Sequence, residues 1–69
     1  MNMRADRVEV SWDAGKRKWL VRIEVGSEVI RRYCDHSHDA DENKLRGAAE
    51  QTVMDEGYQI DSSKVSISR

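Results

Sequence analysis

Val8, Val10 and Trp12 alternate with Glu9, Ser11 and Asp13. This period of two marks a half-buried strand, because successive strand side chains leave opposite faces of the sheet. Asp13-Ala14-Gly15-Lys16-Arg17-Lys18 reads as a turn. Trp19, Val21, Ile23 and Val25 repeat the alternation in a second strand, and Gly26-Ser27 returns the chain through a third strand from Glu28 to Cys34. The three strands make an antiparallel meander.

The Gly26-Ser27 turn, glycine first as type II′ prefers, also sets the register. It pairs Val25 with Glu28, Ile23 with Ile30, Glu24 with Val29, Arg22 with Arg31 and Leu20 with Tyr33. The last three pairs fall on the face opposite Trp19, Val21 and Ile23. Arg22 thus faces Arg31, an arrangement that costs stability because like charges sit directly across a strand pair.

Asp35 to Asn43 is a polar connection that ends in a helix start. Asp39 followed three residues later by Glu42 has the spacing of a capping box, and acids in a first turn suit the helix dipole. Leu45, Ala48, Ala49, Thr52, Val53 and Glu56 lie on one helical stripe. The pattern predicts a helix from Ala40 to Glu56, ended by Gly57 in the left-handed position, with Tyr58 able to fold back on the last turn. Ile60, then Val65 and Ile67 alternating with Ser66 and Ser68, predicts a short final strand.

The expected fold is therefore α+β in the order βββαβ, with one amphipathic helix on one sheet face and the other face open. A right-handed crossover makes the final strand parallel to the first and third strands. Beside the first strand is the preferred place; beside the third is the alternative. No repeat or linker divides residues 1–69, so the chain reads as one domain with residues 1–6 as a frayed start.

Composition narrows the functional classes. A chain of 69 residues buries only about 60% of its unfolded surface, which leaves little room for an enclosed active site. Apolar residues make up 38% of it, charged residues 36%, and phenylalanine is absent, so Trp12 and Trp19 must supply much of the burial. The net charge of −1 is divided unevenly: eight basic and five acidic residues in 1–33 give +3, and four and eight in 34–69 give −4. A net charge this small argues against bulk attraction to nucleic acid or membrane. The asymmetry suits a charge-complementary partner or dimer, or simply a solvated helix.

The single cysteine, Cys34, excludes an internal disulfide and fits a reducing cytoplasm. No apolar run approaches the roughly 18 residues of a membrane span, and the segment from Met1 to Asp6 lacks the hydrophobic stretch of a signal peptide.

Cys34, Asp35, His36, His38, Asp39, Asp41 and Glu42 are metal-ligand types in one segment. His36 and His38 could chelate only from extended chain, and no second ligand cluster completes a closed site. A polar loop followed by a helix cap explains the segment as well; weak divalent-metal affinity is the most it implies. Catalysis by Cys34 with His36 or His38 needs an activated thiol and an oxyanion hole, whereas Cys34 shares the core-facing parity of Ile30 and Arg32. No phosphate loop or nucleophile elbow occurs, so the chain reads as a non-enzyme without cofactor.

The open sheet face is the stronger candidate. Its partner-binding residues are Leu20, Arg22, Val29, Arg31 and Tyr33, with Glu9, Ser11, Asp13 and Glu24 alongside and Ser66 and Ser68 at one side. Arginine, aromatic and aliphatic groups together match the composition of protein interfaces. Equally, Glu9 and Glu24 can neutralise the arginines and leave an ordinary salt-bridged surface. Single-stranded nucleic acid is the rival use: Tyr33 for stacking, with Arg22, Arg31, Lys16, Arg17 and Lys18 for phosphates. Only one aromatic lies there, and Asp13 and Glu24 oppose it. The expected function is binding of another protein, or of a second copy as a two-fold dimer, in the cytoplasm.

The stretch from Trp19 to Arg32, above all Gly26-Ser27-Glu28-Val29-Ile30 followed by an alanine-containing helix, resembles small bacterial meander-plus-helix domains of unknown function. The layout is also similar to some small phage-encoded anti-CRISPR inhibitors. Neither resemblance rests on a diagnostic motif, and neither assigns a role to a residue.

Overall fold

The structure, a computed structural model, describes residues 3–68. Strands β1 (Met3–Arg4), β2 (Arg7–Asp13), β3 (Lys18–Val25) and β4 (Glu28–Cys34) precede helix α1 (Glu42–Asp55). Strand β5 (Tyr58–Gln59), a 3₁₀ turn (Ser62–Lys64) and strand β6 (Val65–Ser68) follow it. The main sheet has the order β4-β3-β2-β6, antiparallel except for β6, which runs parallel to β2. The expected βββαβ order is present, with the final strand beside the first strand of the meander. Arg46 holds it there from the helix, donating through Nη1 to the carbonyls of Ser62 and Val65 at 3.0 and 2.9 Å.

The hairpin register is the one that the two-residue turn predicts, from Val25 opposite Glu28 to Trp19 opposite Cys34. Gly26 has φ +59°, and Ser27 is not in the left-handed region, as a type II′ turn requires. Asp6 secures this turn from outside, its Oδ2 accepting the Gly26 N–H at 2.6 Å while its own N–H donates to the Glu24 carbonyl at 2.8 Å.

One face of the sheet is the core. Val8, Val10, Trp19, Val21, Ile23 and Val65 meet Leu45, Ala49 and Val53 of α1, all essentially removed from water. Those helix residues recur every four positions, the stripe one helix presents to a sheet. Trp19 donates its indole N–H to the Ser37 carbonyl at 2.9 Å, which satisfies the one polar group of a fully buried ring. Trp12 lies across Trp19 on β2, edge to face at 5.4 Å, and is half-buried.

Three boundaries differ from the sequence expectation. The helix starts at Glu42, not Ala40, and its cap is Asp41, whose Oδ1 accepts the Asn43 N–H at 3.0 Å; Asp39 lies outside the helix. Either aspartate can cap, and the one set closer to the Leu45 stripe does. Tyr58 and Gln59, rather than Ile60, extend after the helix, pairing parallel with Met3 and Arg4 in a separate two-stranded sheet. Of residues 1–6, expected to fray, Met3 and Arg4 are thus paired and Ala5 is buried in the core. Met1 and Asn2 lie outside the described residues. These pairings join segments more than fifty positions apart, so no local pattern announces them.

Asp61 caps the 3₁₀ turn. Its carboxyl sits below the usual aspartate value of 3.8, chiefly because the Ser63 N–H donates to it, then because the Ser63 hydroxyl does, with smaller help from Arg4 and Lys64. Its folded pKa is depressed, so its contribution to stability is complete above the unfolded value and disappears as pH falls through the folded one. A carbon-detected titration of Asp61 should show a midpoint below 3.8; Ser63→Ala should move it upward.

Two glycines give opposite outcomes for the same substitution. Nothing crowds a Cβ at either Gly26 or Gly47, but Gly26 has positive φ and Gly47 is an exposed residue inside α1. Gly26→Ala should destabilise by about 1 kcal/mol through left-handed strain. Gly47→Ala should stabilise by about 0.5–1 kcal/mol through helix propensity. Urea unfolding of the two variants checks both signs.

Candidate functional site: the open face of the sheet

The uncovered face consists of cross-strand rows set by the register. From β4 toward β6 these are Val29, Glu24 and Arg7; then Arg31, Arg22, Glu9 and Ser66; then Tyr33, Leu20, Ser11 and Ser68. The five expected partner-binding residues, Leu20, Arg22, Val29, Arg31 and Tyr33, are together at the β3–β4 side. Val29 is 37% exposed and Tyr33 42%, two of the large apolar side chains left most open to water.

Carboxylates answer part of the positive charge. Arg7 reaches both Glu9 and Glu24, the latter at 3.0 Å, and Arg22 lies 3.6 Å from Glu9. Arg7 thus joins the two glutamates, a contact whose one signal in the sequence is that Arg7 shares the parity of Glu9. Arg22 keeps its Nε shielded from water with no hydrogen-bond partner among the described residues. Arg31, directly across from it, has no carboxylate within ion-pair distance among the described residues. Positive charge therefore accumulates on the β4 side.

Tyr33 is held in place from the β2–β3 turn. Its hydroxyl donates to Asp13 Oδ2 at 3.3 Å, and Lys16 Nζ stands 5.0 Å from its ring centroid. Asp13 also accepts the Lys16 N–H through Oδ1 at 3.1 Å, so one aspartate orders both the turn and the ring. This cation–π pair joins residues seventeen apart in sequence and depends on the sheet register.

The other candidate chemistry is dispersed. The His38 ring stacks on Trp12 at 4.7 Å, closing the aromatic pair from outside. Among the described residues no three of the His, Cys, Asp and Glu side chains gather where a cation could sit. Cys34 is half-buried with Sγ 3.6 Å from Thr52 Oγ1, on the core side that its parity implies. A cleft of about 380 Å³ lies at the end of α1, lined by Arg4, Glu50, Met54, Gly57, Tyr58, Gln59 and Ile60; none of the open-face residues contributes to it. Among the described residues, no helix is long and apolar enough to cross a membrane.

Comparison with models of protein families, with curated proteins and with solved structures finds no match to this chain.

The Arg22–Arg31 pair has a direct thermodynamic consequence. Arg31→Glu replaces a like-charge cross-strand pair by an opposite-charge one, and should stabilise the fold by roughly 0.2–1 kcal/mol. Thermal unfolding at low salt measures the gain, and high salt should reduce it.

Proposed function

We propose that this chain is a non-catalytic protein-binding module acting in the cytoplasm, with Leu20, Arg22, Val29, Arg31 and Tyr33 as its contact surface. One observation carries the reading: the face that α1 leaves uncovered concentrates exposed Val29 and Tyr33 around the uncompensated Arg31. An arginine beside apolar and aromatic groups is the combination that supplies most binding energy in protein interfaces. Retaining Arg31 opposite Arg22 costs the fold stability, a cost that binding a partner offsets. The partner is another protein, for a stand-alone inhibitor or adaptor, or a second copy in a two-fold dimer.

Single-stranded nucleic acid is the second reading, favoured by Lys16 over the Tyr33 ring beside Arg31. Against it stand Glu9, Glu24 and Asp13 on the same face, which repel a phosphate backbone.

Photo-crosslinkers placed at Tyr33 and at Gln51, an exposed position of α1, test the reading in the native cell. Protein adducts from Tyr33 and not from Gln51 are expected. Nucleic-acid adducts from Tyr33, or equal protein yields from both positions, would overturn it. Sedimentation separates the two forms: self-association shows as mass above the 8.0 kDa of one chain that grows with concentration.

A further inference from the structure

β4 is an edge strand of the main sheet, and the residues that supply the open face also supply that edge. A two-residue turn closes on a hydrogen-bonded pair, here Val25 and Glu28. Alternation then directs the N–H and C=O of Glu28, Ile30, Arg32 and Cys34 toward β3. Those of Val29, Arg31 and Tyr33 point away from the sheet. The Arg31 carbonyl bears this out, since it accepts from Arg32 Nη1 at 2.8 Å instead of from a strand. The N–H groups of Val29, Arg31 and Tyr33 and the carbonyls of Val29 and Tyr33 are left for a partner.

Charge decides what that partner is. Arg7 and Arg22 have glutamates and Arg32 has Glu56, but Arg31 has no carboxylate partner among the described residues. No residue of β4 in a second copy repairs this, and Asp35 just beyond the strand is already paired with Lys18. If two β4 strands pair antiparallel about Arg31, the two Arg31 side chains oppose each other, which is unfavourable. Sliding the register by one repeat in either direction sets Arg31 against Val29 or Tyr33 and leaves the charge unanswered. Glu28 cannot serve, because its backbone faces β3 and its side chain belongs to the other sheet face.

We propose that the outer edge of β4 binds an extended segment of a different protein as an added strand. An acidic residue of that segment lies opposite Arg31 on the open face, and apolar residues two positions to either side pack against Val29 and Tyr33. Strand addition takes affinity from main-chain bonds and specificity from alternate side chains, as this edge provides. The inference rests on the protein-binding reading and names its partner's chemistry.

The test uses two synthetic peptides, Ala-Val-Thr-Glu-Thr-Val-Ala and its counterpart with lysine for glutamate, followed by NMR and fluorescence anisotropy. The glutamate peptide should shift the amide signals of Val29, Arg31 and Tyr33 and protect them from exchange. Its affinity should fall as salt rises from about 50 to about 500 mM, and should exceed that of the lysine peptide by roughly fivefold or more. Arg31→Glu should reverse the preference. Val29→Pro removes an outward N–H without touching the ladder to β3, and should weaken binding by about tenfold. If proline unfolds the hairpin, N-methylated Val29 in chemically synthesised protein removes the same donor.

No shift at millimolar peptide, or equal binding of both peptides, overturns the inference. So does an acidic preference that survives loss of the Val29 N–H, because the face is then used without strand addition. In each case the wider reading stands or falls separately, on the crosslinks from Tyr33 and Gln51.

Discussion

The width of a single helix governs this structure. α1 is 14 residues long and about 10 Å across, whereas the outer strands of a four-stranded sheet lie about 14 Å apart. It packs on β2, β3 and β6, where Val8, Val10, Val21, Ile23 and Val65 are sealed from water beneath Leu45, Ala49 and Val53. β4 lies at the margin of that cover. Even on its core-facing side Ile30 and Cys34 are only half-buried, and Arg32 is exposed. Among the described residues no element covers the opposite face, so the proposed contact surface is what one helix on a four-stranded sheet leaves over.

The margin is closed by polar contacts instead of apolar ones. Arg32 grips Glu56 at the end of α1 through two hydrogen bonds of 2.8 and 3.1 Å, which bridge the gap between β4 and the helix. A bidentate pair this exposed contributes on the order of 1 kcal/mol or less, so it positions β4 more than it stabilises the fold. Arg32 also occupies the Arg31 carbonyl, which blunts part of an edge that would otherwise invite indiscriminate strand pairing. In the proposed strand addition, an edge kept partly closed and positively charged at Arg31 would select among partners by charge.

At the other side of the hairpin the aromatic stack has a comparable function. Trp19 is the largest buried side chain, and its indole N–H requires an acceptor that the sheet cannot supply. The Ser37 carbonyl provides it, which brings the loop after β4 down onto the tryptophans and places His38 against Trp12. A segment that looked like a reservoir of metal ligands is shaped, in the fold, by the needs of a buried indole. His38 of this segment thereby packs on the tryptophan pair.

Strand alternation, the Gly26-Ser27 turn and the Leu45 stripe were sufficient to determine the three-strand meander, its register and the face the helix covers. Each follows from a local rule: a period of two, a turn that sets pairing, and a period near four. Arg22 opposite Arg31 and the grouping of Leu20, Val29 and Tyr33 were legible for the same reason. Local rules could not choose between Asp39 and Asp41 as the cap, since both have the right chemistry. They could not foresee β1 pairing with β5, Arg7 joining Glu9 to Glu24, or Lys16 standing over Tyr33. Those contacts depend on how distant segments meet in space, and tertiary structure alone decided which charges of the open face are answered and that Arg31 is left, among the described residues, without a carboxylate.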